Sequence, residues 1–172
     1  LGLNFINNYN NFHVETSYRI FEPTKSLNTF NIRLFADQQR RYIPNVETSS
    51  NIGANYFAIN LERFAFGNFI KYTTKSKDFF EARRNGKFVN YNANVVIDGF
   101  ISSDYRKKFA LDINANYQSF FKSEQENFTI AVSPRFRFSN KFSMIYNINY
   151  STSKDRNSFV ALAPKKEIFG LR

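Results

Sequence analysis

The chain has 172 residues, with 24 Lys+Arg against 14 Asp+Glu for a formal charge of +10, one His and no Cys. That length suits one domain, and the lack of Cys excludes disulfides and thiolate-bound zinc. An aromatic content of 19%, with 22 Phe and 10 Tyr, argues against a disordered basic tail, and the longest apolar run, the five residues Phe159–Ala163, excludes a membrane helix of about 20 residues but not a membrane strand.

Alternation with a period of two dominates the chain. A strand remnant is expected over 1–6. Phe12, Val14, Thr16, Tyr18 and Ile20 then oppose His13, Glu15, Ser17 and Arg19, predicting a strand over 12–21. Phe30, Ile32, Leu34 and Ala36 oppose Asn31, Arg33 and Asp37, predicting 29–42. Strands over 50–59 and 64–75 are less clean, because Ala65, Gly67 and Phe69 blur the two faces. Tyr91, Ala93, Val95, Ile97 and Ile101 oppose Asn90, Asn92, Asn94 and Asp98 over 88–101. Phe109, Leu111, Ile113, Ala115 and Tyr117 oppose Asp112, Asn114, Asn116 and Gln118 over 108–121. Two more follow over 127–138 and 142–153, and another begins near 168. Pro134 lacks an N–H for the ladder, so a bulge is expected there.

Most of these segments run about 10–14 residues, longer than the usual 5–6 of a soluble sheet. At a tilt near 45°, ten residues cross roughly 23 Å. Short turns are expected near 22–28, 60–63, 102–107, 122–126 and 139–141, and longer connections near 43–49, 76–87 and 154–167. Asn85-Gly86 is the one strong hairpin dipeptide, and it falls inside a long connection. The expected fold is all-β: an antiparallel up-and-down meander of about eight strands, part of a transmembrane outer-membrane β-barrel. Phe or Tyr at the strand ends, among them Phe109, Tyr117, Phe128, Phe138, Phe142 and Tyr150, resembles the aromatic girdles of such barrels. Phe and Tyr are also good strand formers, so a soluble β-sandwich or barrel binding a sugar or other ligand stays open.

Several ordered motifs carry a family resemblance. They are Tyr18-Arg19-Ile20-Phe21-Glu22-Pro23, Tyr42-Ile43-Pro44-Asn45, Asp78-Phe79-Phe80-Glu81-Ala82-Arg83 and Ser102-Ser103-Asp104-Tyr105-Arg106-Lys107-Lys108-Phe109-Ala110. Ser133-Pro134-Arg135-Phe136-Arg137-Phe138-Ser139, Lys141-Phe142-Ser143-Met144 and Ile168-Phe169-Gly170 complete the set. Together they resemble the C-terminal barrel region of an uncharacterised outer-membrane family of Bacteroidota. In that family a carbohydrate-binding family 9-like domain precedes a barrel of unknown function. The resemblance implies an outer-membrane location and a role as pore, anchor or platform, linked to carbohydrate binding or uptake through that preceding domain. No residue of the preceding domain is present, so sugar binding is carried over to no position here. Leu171 stands where the family tends to have Arg. The opening Leu1-Gly2-Leu3 lacks an initiator Met and a signal-peptide pattern, so residues 1–172 are expected to be one barrel region cut from a longer chain.

Catalytic chemistry is sparse. His13 is the only His and reads as a wall residue, since no second imidazole or thiolate supports it. No phosphate loop, nucleophile elbow or zinc-protease motif is found. No enzyme activity and no cofactor is expected. Asp98 and Asp112 share the polar face and pair directly if their hairpin turns at Tyr105. Arg135 or Arg137 then lies opposite Asp112 in one of two registers. A close carboxylate pair is glycosidase or aspartic-protease material, yet the nearby Arg favours a lumen charge network. The doublets Arg40-Arg41, Arg83-Arg84, Lys107-Lys108 and Lys165-Lys166 fall at strand ends and form no single stripe. That placement suits outer-membrane lipid and lipopolysaccharide phosphates, with other outer-membrane proteins as further partners, and it speaks against nucleic acid.

Overall fold

A computed structural model describes residues 8–83, 86–162 and 167–171, with side chains described up to residue 156. The strands are β1 (Tyr9–Ile20), β2 (Leu27–Arg41), β3 (Val46–Asn60), β4 (Ala65–Thr73), β5 (Ser76–Asp78), β6 (Val89–Tyr91) and β7 (Asn94–Ser102). They continue with β8 (Phe109–Phe120), β9 (Glu126–Arg137), β10 (Ser143–Ile145), β11 (Ile148–Lys154), β12 (Asn157–Leu162) and β13 (Glu167–Leu171). Among the described residues there is no helix. One antiparallel sheet runs β1-β2-β3-β4-β7-β8-β9, with β10 and β11 end to end along the far edge of β9. The β5–β6 and β12–β13 pairs are separate ribbons.

The meander expected from the alternation is therefore present. Among the described residues no strand joins β1 to β10 or β11, so the sheet is open at both edges. The remnant expected over 1–6 and Asn85 of the hairpin dipeptide lie outside the described residues; Gly86 itself has φ +74°.

Turn chemistry sets the boundaries at one end of the sheet, where a polar side chain closes each turn onto the backbone. Thr24 Oγ1 accepts from the Leu27 N–H at 3.0 Å, and Asn60 Oδ1 from Phe64 at 2.9 Å. Asp104 Oδ1 accepts from Arg106 at 3.0 Å, and Ser139 Oγ from Phe142 at 3.1 Å.

Five expectations need correction. The connections expected near 76–87 and 154–167 each hold a strand, β5 and β12. The connection near 43–49 is only Tyr42–Asn45, because β3 starts at Val46 and pairs back to Arg41. The strand over 88–101 is two strands, β6 and β7, separated by Asn92 and Ala93. The hairpin β7–β8 centres on Lys107, not Tyr105: Ser102 pairs with Asp112, and Asp98 with Asn116. Finally, Pro134 makes no bulge. Met144 pairs with Phe136 and Ile148 with Val132, so the register continues unchanged past the proline. The partner strand breaks instead, between β10 and β11. The Tyr146 N–H donates to the Pro134 carbonyl at 3.0 Å, but Pro134 has no N–H to return. One missing donor splits the strand without shifting it.

Among the described residues no conventional core forms: the buried hydrophobic side chains are Ala58, Ala82, Ala110 and Phe120, and no large side chain is fully buried. The chain exposes 12548 Å², against about 8,800 Å² expected for a compact chain of 20.2 kDa. Among the described residues much of the apolar surface is left exposed.

Candidate functional site

Alternation and register sort every strand of the large sheet onto two faces. One face takes alternate residues from Phe12 to Ile20, Phe30 to Gln38, Ser50 to Ala58 and Phe66 to Tyr72. It continues through Val95 to Ile101, Phe109 to Ser119, Phe128 to Phe136 and Met144 to Thr152. Not one of these residues is charged. Phe12, Val14, Tyr18, Leu34, Ile52 and Tyr150 are all more than half exposed on it, from 51% at Leu34 to 72% at Val14.

Aromatics mark the borders of this face. Phe109 stands opposite Phe136 with ring centroids 5.2 Å apart, and Phe136 meets Tyr146 edge-on at 6.3 Å. At the other end Tyr117 stands opposite Phe128, and its hydroxyl donates to Glu126 at 3.0 Å. Phe138 and Phe142 stack at 5.3 Å across the turn beyond β9, while Tyr150 lies opposite Ile130 and is 61% exposed. From Phe109 to Tyr117 the strand covers about 26 Å, or about 19 Å across a slab at a 45° tilt.

The opposite face is polar and closely bonded. Near β1–β3 it is charged: the His13 ring nitrogens meet Asp37 Oδ1 at 2.5 Å and Glu15 Oε2 at 3.1 Å. Arg33 Nη1 lies 3.5 Å from Glu15, and its Nε donates to Asn55 Oδ1 at 3.0 Å. Across β7–β11 amides take over. Asn114 and Asn116 donate to the two Asp98 oxygens at 3.2 and 3.3 Å. Gln118 donates to Asn94 and accepts from Asn127, both at 3.0 Å, and Ser133 donates to Asn147 at 2.9 Å.

Asp98 and Asp112 thus lie on one face but in separate networks. Asp112 accepts from the hydroxyls of Ser102 and of Tyr105, the latter at 2.7 Å. Its neighbour on β9 is Ser133, in place of Arg135 or Arg137. Arg135 sits opposite Ala110, with its guanidinium 4.4 Å above the Tyr105 ring and its Nε buried without a hydrogen-bond partner. Arg137 pairs with Ser143 at the strand end, its N–H on the Lys108 carbonyl at 2.7 Å. The Asp–Asp–Arg grouping resolves into Asp98 among amides and Asp112 beside hydroxyls, with Arg135 reaching Asp112 only through Tyr105.

Sequence reasoning missed four phenylalanines on this polar face. Phe35 lies over Gly53 and stacks on Phe69 at 5.8 Å; Phe100 lies over Gly67 and stacks on Phe57 at 6.0 Å. A Cβ at Gly67 would stand 2.6 Å from both the Phe100 ring and the Tyr56 carbonyl, so only glycine fits. The blurred alternation at Gly67 and Phe69 was the signal for this packing.

Two depressions flank these rings. One, of about 510 Å³, lies at the short-turn end between Ile59, Ala65, Ser102 and the turn Ser103–Arg106. There Arg106 clasps Asp104 at 2.7 Å and holds its carboxyl well below the usual carboxylate range. The other, of about 410 Å³, lies at the far end, where the connection carrying β5 and β6 faces residues of β3 and β4. Burial, with Asp78 and Glu81 adding to it, raises the Tyr91 phenol there. Among the described residues no group of three His, Asp or Glu is placed to hold a metal.

No curated protein and no solved structure matched the chain. A family model, Domain of unknown function (DUF5916), matches residues 1–172. The all-β chain, with one sheet spanning most of its length, belongs to the DUF5916 family.

Proposed function

We propose that the sheet is an arc of a transmembrane antiparallel β-barrel in a bacterial outer membrane, acting as a pore, an anchor or a platform. The uncharged face carries the reading. Eight successive strand positions around the sheet present exposed aliphatic and aromatic side chains, bordered by aromatics, with no Asp, Glu, Lys or Arg between. Water would penalise so much apolar surface by roughly 25 cal/mol per Å², whereas hydrocarbon accepts it. The polar face, with its amides, hydroxyls and balanced charges, then lines the lumen. Lys107, Lys108 and Lys141 in the short turns, and Arg40, Lys75 and Lys122 at the opposite end, suit anionic headgroups and lipopolysaccharide phosphates.

The unpaired edges support the same reading in another way. Inside a bilayer every backbone polar group needs a partner, so β1 and β10–β11 call for adjoining strands. The motif resemblance to the Bacteroidota barrel region adds a functional context: a preceding carbohydrate-binding family 9-like domain, for which the barrel is the anchor or the uptake path.

The test is fractionation of the full-length protein from its native host. Recovery in the outer membrane, with a folded band that shifts on heating in detergent, is the expected result. A monodisperse protein in detergent-free buffer overturns the reading.

A further inference from the structure

We propose that the cavity between the β5–β6 connection and the polar face is a binding site for a small soluble oxyanion, a phosphate or carboxylate carried on a hydroxylated molecule. Its volume of about 410 Å³ suits a ligand of monosaccharide-phosphate size. The walls come from two directions. Asn51, Lys71 and Thr73 rise from β3 and β4, and Ser76, Lys77, Asp78 and Tyr91 come from the β5–β6 ribbon.

The charge balance selects an anion. Lys71 and Lys77 both line the cavity, are both half-buried, and neither has a carboxylate of a described residue within ion-pair distance. Among the described residues the Lys77 ammonium meets the Phe88 ring, 5.3 Å away. Asp78 is the single carboxylate in the lining, and its Oδ1 is occupied by the backbone N–H groups of Phe80 and Glu81 at 2.8 and 2.9 Å. Two lysines therefore share the lining with one carboxylate that is turned to a structural task. Long amine side chains are drawn into half-buried positions at a cost in solvation, and an oxyanion between them offsets that cost through charge-assisted hydrogen bonds.

The remaining lining favours a carrier with hydroxyls. Ser49, Asn51, Thr73, Ser76 and Tyr91 line the same cavity, and their side chains make no hydrogen bond to any other described residue. Thr48, by contrast, donates back to Gln39 and belongs to the wall. The elevated Tyr91 phenol keeps its proton through neutral pH and serves as a donor. Across β7–β9 of the same face the amides Asn94, Asn114, Asn116, Gln118 and Asn127 have protein partners, whereas these lining side chains have none among the described residues. The site stands whichever medium covers the apolar face.

The experiment is calorimetric titration of the folded full-length protein in detergent micelles with inorganic phosphate, glucose 6-phosphate and glucose. Saturable binding of both anions is expected, glucose 6-phosphate the tighter, with none for glucose. Lys71→Gln and Lys77→Gln should each weaken anion binding by about tenfold or more, Lys71→Arg should retain it, and Lys87→Gln, outside the lining, should change nothing. Each variant is checked for the wild-type circular dichroism spectrum. Equal binding of glucose and glucose 6-phosphate, unchanged binding in both Gln variants, or binding only to phosphatidylglycerol vesicles overturns the proposal.

Discussion

The two faces of the sheet are built from alternate residues of the same strands, yet they treat exposed side chains in opposite ways. On the polar face of β7–β11 the amides and hydroxyls are spent on neighbours: Asn114 and Asn116 on Asp98, Gln118 between Asn94 and Asn127, and Ser133 on Asn147. On the apolar face the side chains project outward from a sheet with no layer of described residues packed over it, and Leu34, Ile52 and Tyr150 are more than half exposed. Stability on the first face comes from lateral contacts within the sheet. Stability on the second comes from whatever medium meets it. A substitution that swaps the chemistry of one face for that of the other should therefore show which medium that is.

The largest effect is expected at Leu34, mid-strand on β2 and 51% exposed. In water, Leu34→Lys at so open a position changes stability by about 0.5 kcal/mol or less. At the middle of a bilayer a lipid-facing Lys costs about 2–4 kcal/mol. Denaturant titration of the full-length protein folded into lipid vesicles separates the two, with Asn149→Lys on the polar face of β11 as the matched control. A large loss for Leu34→Lys beside a small one for the control sharpens the contrast. Equal small losses would break it.

A smaller effect is expected where the polar face departs from its own rule. Phe35 closes over Gly53, where an added Cβ would also stand 2.7 Å from the Ile70 carbonyl. Gly53→Ala should destabilise by about 1–3 kcal/mol through overpacking, reversing the usual gain from replacing a strand glycine. Phe35→Leu should recover part of that loss, a coupling of at least about 0.5 kcal/mol in a double-mutant cycle. Part must remain, because the Ile70 carbonyl is backbone and cannot swing away. Strict additivity would mean that ring and glycine do not share one slot.

The alternation that defines both faces was legible in the sequence because side-chain period is a local property. Phe109, Ile113 and Tyr117 could be assigned to one side before any pairing was known. Pairing itself was not legible. Moving the hairpin centre from Tyr105 to Lys107 keeps every residue on its face yet takes Asp112 from beside Asp98 to beside Ser102. That four-residue change of partner is an even shift and leaves the hydrophobic pattern intact, so the pattern could not detect it. Pro134 was legible as a defect, but whether a missing N–H shifts a register or splits the neighbour depends on that neighbour's hydrogen bonds. The cavity at Lys71 and Lys77 was invisible for a further reason. It exists only because a 20-residue connection, Thr74–Ala93, carries a ribbon that faces β3 and β4, and nothing in local period encodes that placement.

The smallest expected effect lies in the turn between β7 and β8, outside both faces. Asp104 accepts two hydrogen bonds from Arg106 Nε and one from Nη2, besides one from the Arg106 backbone N–H. These bonds, the side-chain ones foremost, lower the Asp104 carboxyl far below its usual range. A depressed carboxyl contributes stability that is fully present above its unfolded value of about 3.9 and is lost as pH falls toward the folded value. Asp104→Asn should therefore be less stable than the native chain at pH 6, and the gap should narrow as unfolding is measured at pH 5, 4 and 3. The direction is fixed by the lowered carboxyl, while solvent screening at the exposed Arg106 guanidinium keeps the size modest. A gap that widens on acidification would mean that the Asp104–Arg106 clasp is absent from the folded protein, and with it the tight turn that sets the β7–β8 register and so keeps Asp98 and Asp112 apart.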